Sequence, residues 1–326
     1  MKDIALLRLD GLGGTVTLAD QAKKVYQLTG EPVILITRGH ENLFLKNPHV
    51  KDIINVQKQD WTPCFEHYKD KFDIFCDIRF IVGKWYYNTD YRIPNLREVD
   101  WNRWEALYNL FPMLRGPEAK QKHNIDLYDL NQSQIVDMSL GLPFQTIDSF
   151  VYAFTPYKKK LPDKFIVINN GVDTHHGKML QTKMYPYWEE LVHLLPLPVI
   201  QTGTISDTLI PNVVDLRGKT SLLEFIGVLR KATMTICSEG GTMHLAYAAQ
   251  CKNVIVIRGP SAGPINKYPG HVTIDSQVCT NCWWGTDTWF RKCALDIKNI
   301  CMRSISPERV AFAAQKMLSI KEESNN

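Results

Sequence analysis

Residues Thr235 to Gln250 read TICSEGGTMHLAYAAQ, and the fold follows from how that stretch is divided. A short apolar run enters two glycines, Gly240 and Gly241, and leaves as a helix of small residues. A strand that turns tightly into a helix is one half of a βαβ unit. The first amides of such a helix have no intrahelical partner and sit at the positive end of its dipole, so the junction suits a phosphate. Glu239 just before the glycines repels phosphate, and its carboxylate suits sugar hydroxyls. Thr242 and His244 follow within one turn. A plain strand–helix turn with a core-facing histidine fits the same letters.

On both sides the alternation continues. KFIVINN, LPVIQTG, VVDLRG, TMTIC and NVIVIRG read as strands, and MYPYWEELVHLL and SLLEFIGVLRKA as helices. Ser221 and Glu224 have the spacing of a capping box, in which each side chain satisfies the other residue's amide. Upstream, IALLRL (Ile4 to Leu9) and PVILITR (Pro32 to Arg38) flank a helical stretch ending at Gly30. KDIINV and FDIFCDIRFIV extend the pattern. Strand–helix order of this kind predicts parallel sheets with ligand loops at the strand C-termini. The segment TPYKKKLPD (Thr155 to Asp163) is the linker between two halves. The predicted domains are residues 1–155 and 164–326.

The chain has 326 residues, 44% hydrophobic and 22% charged, with a net charge of +4. That is an ordinary globular composition, and it lacks the basic stripe of a nucleic-acid binder. The start, MKDIALLRLDGLGG, carries neither a signal-peptide core nor a membrane span. A cytoplasmic location is expected, where cysteines stay reduced or hold metals. Four of the eight cysteines, Cys279, Cys282, Cys293 and Cys301, form C-x2-C-x10-C-x7-C. Four thiolates suit tetrahedral zinc or iron, although four free thiols in a loop give the same letters. Trp101, Trp104, Tyr108 and Phe111 fall at helical spacing as a core stripe. Trp85, Tyr86 and Tyr87 read as a loop that could stack on a sugar.

Two further blocks carry a resemblance. Asp215, Gly218, Ser221, Leu222 and Glu224 match a D-x-x-G-x-x-S-L-x-E segment, and Glu239, Gly240, Gly241 and His244 match an acid–small–Gly–x–x–His helix start. With KMYPYWEEL, GPSAGP and YPGH, they make the C-terminal half resemble glycosyltransferase family 9, the heptosyltransferases of bacterial surface polysaccharide assembly. The N-terminal half is similar more loosely. The resemblance implies the GT-B fold, α/β with two Rossmann-like domains facing across a cleft. It implies inverting transfer of a sugar from a nucleotide-diphosphate donor to a glycan, lipid-linked or protein acceptor, without a catalytic metal. Peripheral membrane association would then come through the acceptor. Lys183 and the Gly240–Gly241 helix start would meet the diphosphate, with Lys183 a mobile cation. Gly13, Gly14, Thr204, Asp207, Glu239, Thr242 and His244 complete the implied donor contacts. Related protein heptosyltransferases carry iron on a cysteine cluster.

The chain departs from the family after its first strand. Members there read Leu-Gly-Asp, whose Asp is the implied general base, whereas this chain reads Leu12-Gly13-Gly14. Asp10, at the end of the first strand, and Asp20, six residues beyond Gly14, are the replacements available. Without a base the chain would be an inactive sugar-nucleotide binder. A dinucleotide-dependent redox enzyme, suggested by DGLGG, is a third reading, weakened by Val16 where that fingerprint wants Gly or Ala.

Overall fold

The computed structural model describes residues 2–57, 59–110, 129–172, 174–175, 178–279, 282–283, 288–289 and 291–323. Two compact units divide the chain, Met1–Ala153 and Phe154–Asn326. The segment expected to be a linker belongs by contact to the second unit: the amide of Thr155 donates to the Leu223 carbonyl (3.0 Å). Among the described residues no helix is long and apolar enough to cross a membrane.

The first unit holds β1 (Ile4–Arg8), α1 (Leu12–Thr29), β2 (Val33–Thr37), β3 (Val50–Asn55), α2 (Trp61–Tyr68), β4 (Ile74–Arg79), β5 (Val82–Tyr87), α3 (Trp101–Leu110) and α4 (Gln132–Leu140). The sheet order is β3-β2-β1-β4-β5. β1 and β2 are buried along their whole length, as a strand covered by helices on both faces must be. β5 pairs antiparallel with β4, which the parallel expectation did not foresee. Phe80, in the left-handed region at φ 54°, reverses the chain between Arg79 and Val82. Trp85, Tyr86 and Tyr87 therefore lie on a strand, not in a loop, and Trp85 Nε1 donates to the Leu140 carbonyl (2.9 Å). Trp104 and Tyr108 are core residues of α3; Phe111 lies outside the described residues.

The second unit holds β6 (Ile166–Asn169), a small hairpin of β7 (Thr174–His175) and β8 (Lys178–Met179), α5 (Trp188–Leu194), β9 (Val199–Thr202), β10 (Val214–Asp215), α6 (Leu222–Lys231), β11 (Met234–Ser238), α7 (Gly241–Ala248), β12 (Val254–Arg258), β13 (His271–Asp275), α8 (Ile300–Arg303) and α9 (Pro307–Glu323). Its sheet runs β10-β9-β6-β11-β12-β13 with every pairing parallel. Counted within the unit this is the order 3-2-1-4-5-6 of a doubly wound dinucleotide-type fold. The capping box of α6 forms as the sequence predicts: the Ser221 hydroxyl accepts from the Glu224 amide, and the Glu224 carboxylate accepts from the Ser221 amide.

Candidate functional site

In an open α/β sheet the ligand crevice lies beyond the strand C-termini where the strand order reverses. In the second unit that point falls between β6 and β11. β11 ends at Ser238, and Glu239 and Gly240 lead into α7. The first turn of α7 therefore starts at the place where such folds bind anions.

Glu239 is almost fully buried, and Lys183, carried by the one-turn 3-10 helix Gln181–Lys183, is locked to it as an ion pair and hydrogen bond. The Lys183 ammonium also lies 4.5 Å from the Trp283 ring centroid. Burial alone would raise the Glu239 carboxyl. The charge and hydrogen bond of Lys183, with smaller help from Ser261 and His244, instead hold it below the usual carboxylate range. Lys183 is thus not the mobile cation expected from sequence. One of its three N–H donors goes to Glu239, and no other hydrogen-bond acceptor for it is found among the described residues. His244, in the first turn of α7, shares a 2.7 Å hydrogen bond through Nδ1 with the Tyr268 hydroxyl, and Tyr268 stacks on Tyr247 at 4.3 Å.

Thr204 and Asp207 follow β9. The Asp207 carboxylate accepts from the Thr204 amide (2.7 Å) and the Asp207 amide donates to the Thr204 carbonyl (3.1 Å), closing a local turn, and Arg217 donates to the Asp207 carbonyl. A Cβ at Gly171 would lie 2.7 Å from Asp207 Oδ2, and one at Gly203 would lie closer still. The two glycines therefore leave the space that this carboxylate fills. Asp215 is gripped by Arg217 (2.8 Å) and Lys219 (2.9 Å), and their hydrogen bonds hold its carboxyl far below the usual range. The Asp215–Glu224 motif thus shapes a turn and starts a helix.

In the first unit the order reverses between β1 and β4, and Asp10 stands just beyond β1. Arg8, wholly buried, donates from Nε to Asp10 Oδ2 (2.8 Å), from Nη1 to Thr17 Oγ1 (2.8 Å) and from Nη2 to the Phe80 carbonyl (2.5 Å). It thereby ties the loop after β1 to the turn after β4. The Asp10 side chain keeps 14% exposure. Gly13 and Gly14 lie in the first turn of α1, so these two implied donor contacts belong to a different unit from Gly240 and Gly241.

Asp20 has a different setting. Its side chain is fully buried, paired with Lys24 (2.9 Å), and accepts from the Ser133 hydroxyl and the Asp148 amide (2.7 Å). Lys24 also pairs with Asp137. Burial first, and then the charge of Asp20, push the Asp137 carboxyl well up. This cluster pins α1 to α4 and to the segment before Phe150.

Cys279, Cys282 and Cys293 are partly exposed and Cys301 is buried. Cys301 belongs to the core of the second unit, and Cys279 packs against the same core. Burial pushes the Cys301 thiol up to about 12, and the other three cysteines add to the rise. Among the described residues no group of three or more His, Cys, Asp or Glu side chains is gathered as a metal ion requires. The four-ligand set read from the spacing is therefore not assembled here.

Each of the two doubly wound units carries a charged residue pair at its strand-order reversal, and two such units in one chain are the architecture of the GT-B fold. The resemblance read from the sequence is borne out within the second unit: the model of glycosyltransferase family 9 (heptosyltransferase) matches residues 202–268. Those residues include Thr204, Asp207, Glu239, Gly240, Gly241 and His244. The fold is similar to that of TibC, a dodecameric iron-containing heptosyltransferase solved with ADP-D-beta-D-heptose. The TM-score is 0.67 at 15% identity, over 98% of this chain and 76% of that one. ADP-heptose lps heptosyltransferase II of E. coli superposes with a TM-score of 0.60 at 13% identity, over 98% and 99% of the two chains. A family 9 glycosyl transferase from Veillonella parvula gives 0.60 at 13%, over 97% of each chain. No curated protein matches the sequence. At these identities the likenesses establish the fold.

Proposed function

We propose that the protein is an inverting glycosyltransferase that moves a sugar, a heptose by its relatives' donor, from a nucleoside diphosphate to an acceptor hydroxyl. The observation that carries this is the buried Lys183–Glu239 pair at the open amide end of α7, inside the segment matched by the family model. In this reading the diphosphate takes the helix-start amides and the free donors of Lys183. The second oxygen of Glu239 accepts from the sugar hydroxyls. Asp10 takes the proton of the acceptor hydroxyl, whose oxygen attacks the anomeric carbon. The bond to the diphosphate breaks, and its electron pair leaves with the diphosphate. A single displacement inverts the centre. Positive potential fixed where negative charge develops lowers the barrier, and a positioned base contributes about 10² to 10⁴ in rate.

Asp10 is preferred to Asp20 because its side chain is partly exposed, whereas Asp20 is enclosed by Lys24, Ser133 and Asp148. Release of ADP from ADP-heptose, with candidate glycan and protein acceptors, tests the reading. Asp10→Asn is expected to lower turnover by about 10² to 10⁴ with donor affinity kept. Donor that binds and is never transferred by the wild-type protein would favour an inactive binder.

A structural zinc or iron at Cys279, Cys282, Cys293 and Cys301 belongs to the same proposal. It is supported by the spacing and by Cys279 and Cys301 packing on one core. The four thiolates would close on the ion as a tetrahedral set. Metal analysis of tag-free protein is expected to give about one ion per chain. Folded, metal-free protein with four titratable thiols here would exclude it.

A further inference from the structure

Gly14 has no conformational reason to be a glycine. It sits in the first turn of α1 and is absent from the glycines with positive φ. The reason is space. A Cβ built on Gly14 would fall well inside contact distance of Asp10 Cβ, 2.9 Å from Asp10 Oδ2 and 3.0 Å from Arg8 Nε. A side chain at residue 14 would therefore begin where the Asp10 side chain already stands, against the same guanidinium.

We propose that residues 10 and 14 share one position in space, that Asp10 supplies the carboxylate there, and that Arg8 is the residue that positions it. The catalytic part of this rests on the glycosyl-transfer reading. Arg8 is suited to the task because its fork is fixed at both other corners, on Thr17 of α1 and on the Phe80 carbonyl after β4. Its remaining Nε–H then points at one place. A buried guanidinium needs a carboxylate there, since an unpaired buried charge is strongly destabilising. That carboxylate can arrive from the strand end or from the helix, but the space does not admit both. The chain thus has Asp at 10 and Gly at 14, where the family pattern has its Asp at the helix position. Asp10 Oδ2 is engaged by Arg8, while Oδ1 has no hydrogen-bond partner among the described residues and is the atom that receives the acceptor proton.

The test is a four-member set: wild type, Asp10→Gly, Gly14→Asp, and Asp10→Gly with Gly14→Asp, because the overlap begins at the Asp10 Cβ and only glycine vacates it. Each is measured for thermal midpoint and for ADP release from ADP-heptose in the presence of acceptor. Asp10→Gly is expected to lower the midpoint, by leaving Arg8 without its carboxylate, and to lower release by about 10² to 10⁴. Gly14→Asp alone is expected to lower the midpoint by crowding two carboxylates together. The double variant is expected to recover both, with release within about tenfold of wild type, a rescue that a merely structural Asp10 would not give. Arg8→Lys, which keeps the charge but loses the fork, is expected to lower release in wild type and double variant alike. Additive losses of midpoint would overturn the shared position. Recovery of midpoint without recovery of release, in a protein whose wild type is active, would overturn the catalytic role. A wild type that releases no ADP would count against the glycosyl-transfer reading alone, because the midpoints still decide whether the two residues share their place.

Discussion

Lys183 and Glu239 stand 56 residues apart in the chain and meet as a buried ion pair, each side chain 4% exposed. One comes from a 3-10 turn before α5, the other from the end of β11. The pair ties these two elements together beside the start of α7, with each charge balanced by the other.

Removing one partner leaves the other charged, buried and alone. Lys183→Met is expected to cost about 3–5 kcal/mol at neutral pH, measured by urea unfolding. Glu239 is held below the ordinary carboxylate range by Lys183. Its contribution is therefore present above the unfolded-state value and lost as pH falls through the folded one. Wild type and Lys183→Met should thus converge in stability as pH is lowered below about 4.3, the ordinary glutamate value. A constant difference across that range would contradict the pairing.

Asp20→Ala is expected to act on stability. It removes the acceptor of the Ser133 hydroxyl and the Asp148 amide and one of the two carboxylates on Lys24. A loss of about 3–5 kcal/mol is expected for a broken buried pair, with turnover per folded molecule unchanged. A soluble, stable Asp20→Ala protein with turnover reduced about 10²-fold or more, the scale of a lost general base, would return the base to Asp20.

The buried strands β1, β2, β11 and β12 and the capping box at Ser221 and Glu224 were legible because they depend on neighbours in sequence, whereas the half-buried edge strand β13 was not read as a strand. Apolar runs mark strands buried on both faces, and a cap needs residues only three apart. The same local signature stands at Asn131 and Gln134, where the structure forms a second capping box, yet polar NQSQ does not announce a buried helix. β5 was misread because its reversal depends on one left-handed residue, Phe80, which no periodicity marks. The pairing of Lys183 with Glu239, and of Lys24 with Asp20 and Asp137, depends on elements brought together by topology. Sequence named Lys183, Glu239 and Asp20 as functional candidates but could not say which were already partnered.

Burial first, and then the charge of His244, lower the pKa of His271 to about 4. The folded state thus keeps this imidazole neutral while the unfolded chain, titrating near 6.5, takes up a proton. Stability is expected to fall as pH drops from about 6.5 to 4, by on the order of 1 to 3 kcal/mol from this residue. His271→Phe, which keeps a ring against Tyr247 and Tyr268, should flatten that decline in urea titrations at pH 4, 5.5 and 7. An unchanged decline would place its origin elsewhere.

We propose that a nucleoside-diphosphate sugar docks on the amide end of α7 beside Lys183. Calorimetric titration with ADP-heptose, run on wild type and on Gly241→Leu, tests it most directly. The expected result is saturable binding to wild type at one site per chain, and none to Gly241→Leu, whose bulk covers the helix start while its unfolding stays cooperative. No binding to wild type, or equal binding to both proteins, would contradict the account.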